Sequence, residues 1–351
     1  LIISLISCLS EGCKRWIIDS INSSDSLVGP SVTSGAEIDP IGALRASSRP
    51  SSPITIVLIG LRHIIKHATN GTPHMADWRP ILKRRDSGFP RIMGVLNATP
   101  DSFHAGSRVE QVENAVERAV RMFEGGADWI DVGGESTRPG AVEVGREEEA
   151  GRVIPIIEAI REALPDTGIS IDSRRAFVAR EALDAGADMV NDVSSLGDPE
   201  MADLIVESGC PICLMHMKGL PSNMQENPNY GDVVKEVRGC LEVSAKKLID
   251  YGVKSSNIIV DPGIGFGKLL EHNISLLSSG RSVVPEEDMG LMWGVSRKSM
   301  FKQMLGREAS EDRLAGTLGV AAMAKDKGVD IIRVHDVTEH SDLFSMMEGI
   351  R

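Results

Sequence analysis

A chain of 351 residues with 42% hydrophobic and 25% charged side chains has the balance of an ordinary globular protein, which excludes collagen-like and wholly disordered chains. Acidic residues outnumber basic ones by 50 to 38, for a formal charge of −12, so the overall field repels phosphate backbones and anionic membrane surfaces and excludes nucleic acid as an expected partner. No apolar run reaches the ~20 residues of a membrane span, and five cysteines without repeated short spacing form neither a disulfide framework nor a zinc site, so the chain reads as a reduced, cytoplasmic protein.

The first division falls at Met75. All 15 methionines lie at or after it, whereas residues 1–74 are Ser-rich and hold no sustained period of 3.6 or 2.0. Leu1 to Leu9 is apolar but lacks the basic segment of a signal peptide. The expectation is an N-terminal extension over 1–74, either disordered or upstream of a true start at Met75, followed by one catalytic domain over 75–351.

From Met75 the chain repeats one phrase: an amphipathic helix, a Gly at its end, then a short apolar strand. Gly126-Ala-Asp-Trp-Ile-Asp-Val132, Gly186-Ala-Asp-Met-Val-Asn-Asp-Val193 and Gly328-Val-Asp-Ile-Ile-Arg-Val334 are three copies. In the helix before the first copy, Ser107 and Glu110 read as a capping box, Val109, Val112, Val116, Ala119 and Phe123 as the apolar stripe, and Gly125 as the stop. Apolar strands are expected at Ile92–Leu96, Trp129–Val132, Ile169–Ile171, Met189–Val193, Pro211–Met215, Ile258–Val260, Leu291–Val295 and Ile331–Val334. Eight such units separated by helical patterns predict an α/β fold of the (β/α)8 TIM barrel type rather than an open doubly wound sheet.

In that barrel the chemistry lies at the C-terminal strand ends. Those positions are Asn97, Asp131, Asp172, Asn191 with Asp192, His216, Asp261, Lys298, and Arg333 with His335. One such residue is ordinarily a loop anchor, but polar groups at all eight ends argue for a small-molecule site. Asp172, Asn191 and Asp261 suit a flat polar heterocycle with amino and keto edges, and Lys298, Arg333 and His335 suit an anion grip. Two Gly-rich loops, 133–140 and 261–268, allow backbone to approach a ligand and carry Arg138 and Lys268. The second is not a Walker A motif, because Pro262 replaces its first Gly and Leu269 follows the Lys.

Asn97-Ala-Thr-Pro-Asp-Ser-Phe103, Asp131-Val-Gly-Gly-Glu-Ser-Thr-Arg-Pro-Gly140, Ile171-Asp-Ser173, Asn191-Asp-Val193, Met215-His-Met217, Asp261-Pro-Gly-Ile-Gly-Phe-Gly267, Ser296-Arg-Lys298 and Arg333-Val-His-Asp-Val337 stand in the order of the dihydropteroate synthases, which the chain resembles over residues 91–337. That resemblance implies a transferase of folate biosynthesis that condenses 6-hydroxymethyl-7,8-dihydropterin pyrophosphate with 4-aminobenzoate to give 7,8-dihydropteroate and pyrophosphate, assisted by Mg2+. It implies catalytic roles for Asp172, Lys298, Arg333 and His335. Pterin would be held by Asp172, Asn191, Met215, Asp261, Phe266 and Lys298, and pyrophosphate by Asn97, Arg333 and His335, with Asn97 also the metal ligand. The 4-aminobenzoate would meet Thr137, Arg138, Pro139 and Ser299, with Phe103 close by, and the family resemblance extends to a homodimer. The chain departs from the family pattern at Ala105, where a second acidic residue is common, at Ser173 for the usual Thr, and at Leu269 for a frequent Thr.

Other features take the plainer reading. Cys210 and Cys213 are core thiols, His216 lines or supports the pocket, Glu147 to Glu149 form a solvated first helical turn, and Asp192 and Asp336 anchor loops. The alternative function is a pterin-binding methyltransferase component or a noncatalytic pterin-binding protein. Lys298, Arg333 and His335 discriminate, since a binder of unphosphorylated pterin has no use for a pyrophosphate grip.

Overall fold

The structure, a computed structural model, describes residues 82–98, 108–136, 143–219, 223–226 and 228–350. The extension read over 1–74, the Ser107 cap, Phe103 and Ala105, and the 4-aminobenzoate candidates Thr137, Arg138 and Pro139 lie outside the described residues. Eight parallel strands, β1 (Arg91–Asn97), β2 (Trp129–Gly133), β3 (Gly168–Asp172), β4 (Met189–Asp192), β5 (Ile212–Met215), β6 (Ile258–Asp261), β7 (Gly290–Gly294) and β8 (Ile331–Val334), close in sequence order, with β8 pairing back onto β1. Around them run α1 (Arg108–Glu124), α2 (Arg146–Ala163), α3 (Ala176–Asp184), α4 (Met201–Ser208), α5 (Val233–Asp250), α6 (Leu270–Ser279), α7 (Ser299–Leu305), α8 (Leu314–Ala322) and α9 (Val337–Gly349). No helix among the described residues is long and apolar enough to cross a membrane.

All eight expected strands are present, shifted at their ends by a residue or two: Asn97, Asp172 and Asp261 are the last residues of their strands, while Val193 and Val295 fall beyond theirs. Alternation sorts each strand into two faces. Ile130, Ile169, Val190, Ile258 and Ile332 belong to the layer under the helices, whereas Met93, Trp129, Met189, Cys213, Ile259, Met292 and Ile331 plug the barrel interior. The same parity carries Asp131, Asp172, Asn191, Asp261 and Arg333 to the interior above that plug.

The N-terminal end of the barrel explains the repeated phrase. Gly126, Gly186 and Gly328 have φ of +98°, +111° and +71°, a left-handed conformation that favours glycine. The Asp two residues later then clasps the preceding strand. Asp128 N–H donates to Ile92 O at 2.8 Å while its carboxylate accepts Ile92 N–H at 2.9 Å. Asp188 does the same with Ile169 at 2.7 and 2.8 Å, and Asp330 with Leu291 at 2.8 and 2.9 Å. An arginine completes each clasp: Arg85 and Arg91 on Asp128, Arg161 on Asp188 and Arg281 on Asp330. The equivalent residue before β6 is Asn257, whose register partner is Pro211. Proline has no N–H to donate, and the Asn257 Oδ1 is buried without a partner.

Two helix expectations change. In α1, Val109 and Phe123 are exposed, at 67% and 46%, and the buried face instead runs through Val112, Ala115, Ala119 and Met122, whose spacing of three and four keeps them over β1. In α2 only Glu147 and Glu148 are solvated. Glu149 is 1% exposed and salt-bridged to Arg175, because its position one turn before Val153 faces inward.

Candidate active site

Arg333 is the hub of the C-terminal face. Its Nε donates to Asp131 Oδ2 and its Nη2 to Asp172 Oδ2, each at 2.6 Å, and Asn191 Nδ2 reaches the same Asp131 oxygen at 3.2 Å. Burial pulls the guanidinium's pKa down, but the two carboxylates outweigh it and hold it above the ordinary arginine range. Burial pushes the Asp172 carboxyl up to about 7 against the pull of Arg333. Asp261 is likewise raised by burial, and its Oδ1 accepts the Gly263 N–H at 2.7 Å. Asp131 Oδ1, Asn191 Oδ1 and Ser170 Oγ are buried without hydrogen-bond partners, an arrangement that structural polar groups avoid.

Glycines keep space beside the carboxylates. A Cβ on Gly294 would stand 3.3 Å from Asp261 Oδ2, and one on Gly133 3.5 Å from Asp172 Oδ2. Lys298 caps α7 with its Nζ 4.1 Å from the centre of the Phe266 ring, and burial lowers its ammonium to about 8 against the attraction of Asp261. Acceptors, an amide and an ammonium thus gather at the C-terminal strand ends, a set that suits a heterocycle whose edge both donates and accepts. Met215 closes β5 in the buried wall, and Ser299 opens α7 in an exposed position.

The groups expected to grip an anion do not stand as three free cations. Arg333 is tied to two carboxylates because a buried guanidinium requires counter-charge, and Lys298 lies over Phe266. His335 meets Ser296 Oγ through its Nδ1 at 2.8 Å, and its backbone N–H donates to the same oxygen at 3.1 Å. Asn97 ends β1, the strand that pairs with β8 in the register Met93 to Arg333, so it stands nearer the rim than Arg333. It is half-buried, and its amide takes no hydrogen bond among the described residues. No group of three His, Cys, Asp or Glu side chains among the described residues forms a metal cluster. A single hard amide oxygen fits an ion that arrives already ligated by phosphate and water, which is the habit of Mg2+.

Lys268 departs most from expectation. It is 4% exposed and spent on the protein itself: its Nζ donates to Phe266 O at 2.9 Å and His216 O at 3.3 Å and lies 2.9 Å from His216 Nδ1. The glycines of this loop serve neighbouring backbone rather than a ligand. A Cβ on Gly263 would fall 1.9 Å from His216 O, and one on Gly267 2.5 Å from Lys218 O. His216 is a support, its ring pushed down to about 3 by burial and by Lys268, and is therefore neutral. Cys210 and Cys213 are buried free thiols, raised by burial, the first to about 11.

Asp192 and Asp336 anchor loops as expected. Asp192 accepts Ser194 N–H and Leu196 N–H at 2.8 and 2.6 Å, stabilising the positive φ of Ser195 and Leu196. Asp336 holds Arg297, itself at φ +55°, so that Lys298 and Ser296 flank a fixed turn. Sequence reasoning missed Asp131 as the hub's main counter-charge and Ser296 as the partner of His335. It also missed Glu135, which accepts from Arg174, Arg175 and the Val144 N–H at 3.0–3.1 Å. The paired arginines directly after Asp172-Ser173 were the available signal for that network.

The sequence model of the family described as Pterin binding enzyme matches residues 93–335. The chain is 44% identical over 264 residues to the dihydropteroate synthase of Escherichia coli (strain K12), covering 75% of this chain and 93% of that one. The chain belongs to the dihydropteroate synthase family of pterin-binding enzymes. Solved structures agree. The Yersinia pestis dihydropteroate synthase with a sulfonamide drug complex superposes with a TM-score of 0.70 at 39% identity, over 76% of this chain and 96% of that one. The Xanthomonas albilineans dihydropteroate synthase with 4-aminobenzoic acid gives 0.70 at 38%, over 75% and 94%. The Burkholderia cenocepacia dihydropteroate synthase complexed with 7,8-dihydropteroate gives 0.68 at 40%, over 75% and 91%.

Proposed function

We propose that this protein condenses 6-hydroxymethyl-7,8-dihydropterin pyrophosphate with 4-aminobenzoate to give 7,8-dihydropteroate and pyrophosphate. The observation that carries the reading is the part-buried Arg333 bridge between Asp131 and Asp172, with Asn191, Asp261 and Lys298 at neighbouring strand ends. Relatives solved with 4-aminobenzoic acid and with 7,8-dihydropteroate support the two ends of the reaction.

In this reading Asp172, Asn191 and Asp261 hold the polar edge of the pterin ring, Lys298 donates to its keto side, and Met215 and Phe266 cover its faces. Departure of pyrophosphate leaves positive charge on the pterin methylene, which the carboxylates of Asp172 and Asp261 stabilise in a water-poor site. Arg333 and His335 stabilise the departing anion, Arg333 through the guanidinium edge it does not spend on carboxylates. Mg2+, held by Asn97, would supply further charge neutralisation on the pyrophosphate oxygens when bound. Thr137, Arg138, Pro139 and Ser299 receive the arylamine, which is neutral at pH 7 and attacks without a strong base. Within the same reading the protein works as a homodimer in the cytoplasm, where its free thiols Cys210, Cys213 and Cys240 stay reduced.

The test is direct. The full chain, given the pterin pyrophosphate, Mg2+ and 4-aminobenzoate, is expected to release pyrophosphate in step with 7,8-dihydropteroate. A folded protein that binds the pterin yet forms no product with this amine would overturn the reading.

A further inference from the structure

An ammonium buried without a carboxylate in hydrogen-bond reach is an expensive way to fill space, since an apolar side chain of that length would do so without desolvating a charge. Lys268 is such a group, lowered by burial to about 7, and in its protonated form its three N–H donors match three acceptors: Phe266 O, His216 O and the His216 Nδ1. The Nδ1 contact places the ring proton on Nε2, so the imidazole is held in one tautomer as well as one place.

The loop that Lys268 ties down touches the pterin-holding groups on both sides. At its start the Gly263 N–H orients Asp261. At its crest a Cβ on Gly265 would lie 3.2 Å from Lys298 Cδ, and the Phe266 ring lies under the Lys298 ammonium. Gly265 O accepts from Gln225 Nε2, and Phe266 O, one residue on, is bonded by Lys268.

We propose that Lys268 is a positioning residue for the reaction: through His216 and the Phe266 carbonyl it fixes the β6–α6 loop so that Asp261 and Lys298 meet the pterin in one geometry. The inference rests on the assignment of Asp261 and Lys298 to the pterin. It predicts a substrate-selective effect, because a small displacement of positioned groups costs up to ~100-fold when they touch the reacting molecule.

The experiment is steady-state kinetics of the full-length Lys268→Met variant, with kcat and both KM values measured and the pH profile followed to pH 10. Expected is a 10- to 100-fold fall in kcat/KM for the pterin pyrophosphate, with KM for 4-aminobenzoate changed less than twofold. The alkaline limb set by Lys298 is expected to stay in place, because burial lowers Lys268 to about 7 and leaves it largely uncharged in that range. A variant that melts at lower temperature but retains the wild-type kcat/KM for the pterin pyrophosphate has lost only structure, and overturns the proposal. If Lys268→Met does not fold, His216→Phe removes the Nδ1 acceptor while keeping the ring's bulk and the backbone carbonyl. A 3- to 10-fold loss confined to the pterin substrate supports the proposal, and equal loss toward both substrates overturns it. Wild-type protein runs in the same assay, and its failure to turn over would remove the functional reading, and the proposal with it.

Discussion

The two ends of this barrel use the same residue types to opposite effect. At the N-terminal end, Asp128, Asp188 and Asp330 each accept a strand N–H and an arginine, and each returns its own N–H to the same strand. At the C-terminal end, Asp131 and Asn191 each leave a buried oxygen unpartnered, and Asp172 and Asp261 are raised by burial. An aspartate with every bond made holds the fold. One left short is poised for a ligand, and instability is the cost of readiness.

The sharpest way to break this contrast is to neutralise one member of each set. Asp172→Asn keeps the shape of the upper site but removes charge from the Arg333 bridge and from the face of the developing cation. It is expected to lower kcat/KM by about 1,000-fold, the scale of one preorganised electrostatic group, with the melting temperature held or raised. Asp188→Ala removes the lower clasp, strands the Ile169 N–H and takes the carboxylate from Arg161, which keeps its bonds to the carbonyls of Gly186, Pro165 and Thr167. It is expected to lose about 2–4 kcal/mol in urea unfolding, with kcat and KM unchanged for the folded fraction. Asn257→Ala, at the position where Pro211 offers no donor, should lose far less. If Asp188→Ala altered catalysis and Asp172→Asn altered only stability, the division between the two ends would fail.

Sequence alone reads the barrel well because its signals are local. The Gly-Ala-Asp phrase encodes a left-handed helix stop and a strand clasp within three residues, and the clasp's hydrogen bonds repeat from one copy to the next. The site is legible in composition but not in pairing. Asp172, Asn191, Asp261 and Arg333 were placed at strand ends, yet Asp131 and Arg333 are 202 positions apart, and only closure of β8 onto β1 brings them together. Lys268 shows the reverse failure: a cation in a Gly-rich loop resembles a ligand group, and nothing local to it says that His216, 52 residues earlier, accepts its bonds. Glu149 was misread because one helical position separates a solvated acidic turn from a buried ion pair.

A pH titration sharpens the contrast at the upper end. Lys298, lowered by burial to about 8 against an ordinary lysine value of about 10.4, gives up its proton sooner in the folded protein than in the unfolded chain. Activity that needs its ammonium is therefore expected to fall roughly tenfold per pH unit above about 8. The sign for stability is opposite. The unfolded chain binds more protons at this site between about 8 and 10.4, so Lys298's contribution to folding stability grows as pH rises through that window. Parallel loss of activity and of stability above pH 8 would show that unfolding, not Lys298, sets the limb.

The smallest expected effect concerns the start of α6. Leu269 sits at the N-cap with the extended backbone that a capping side chain needs, φ −73° and ψ 169°, yet it is 46% exposed and offers no oxygen to the first turn. His272 compensates on one side only, its Nδ1 accepting the Leu269 N–H at 3.1 Å, while Leu269 O serves Asn273. Leu269→Ser supplies the missing acceptor and takes an exposed hydrophobe out of water. A gain of about 0.5–1 kcal/mol is expected, the ordinary worth of an N-cap, read as a raised urea midpoint with unchanged slope. Kinetics should not move, since the Lys268 bonds and the Asn273 Oδ1 that accepts the Gly265 N–H are made in the same way in either variant. A rise in stability accompanied by a fall in kcat/KM for the pterin would mean instead that the imperfect cap is itself part of the upper end's readiness.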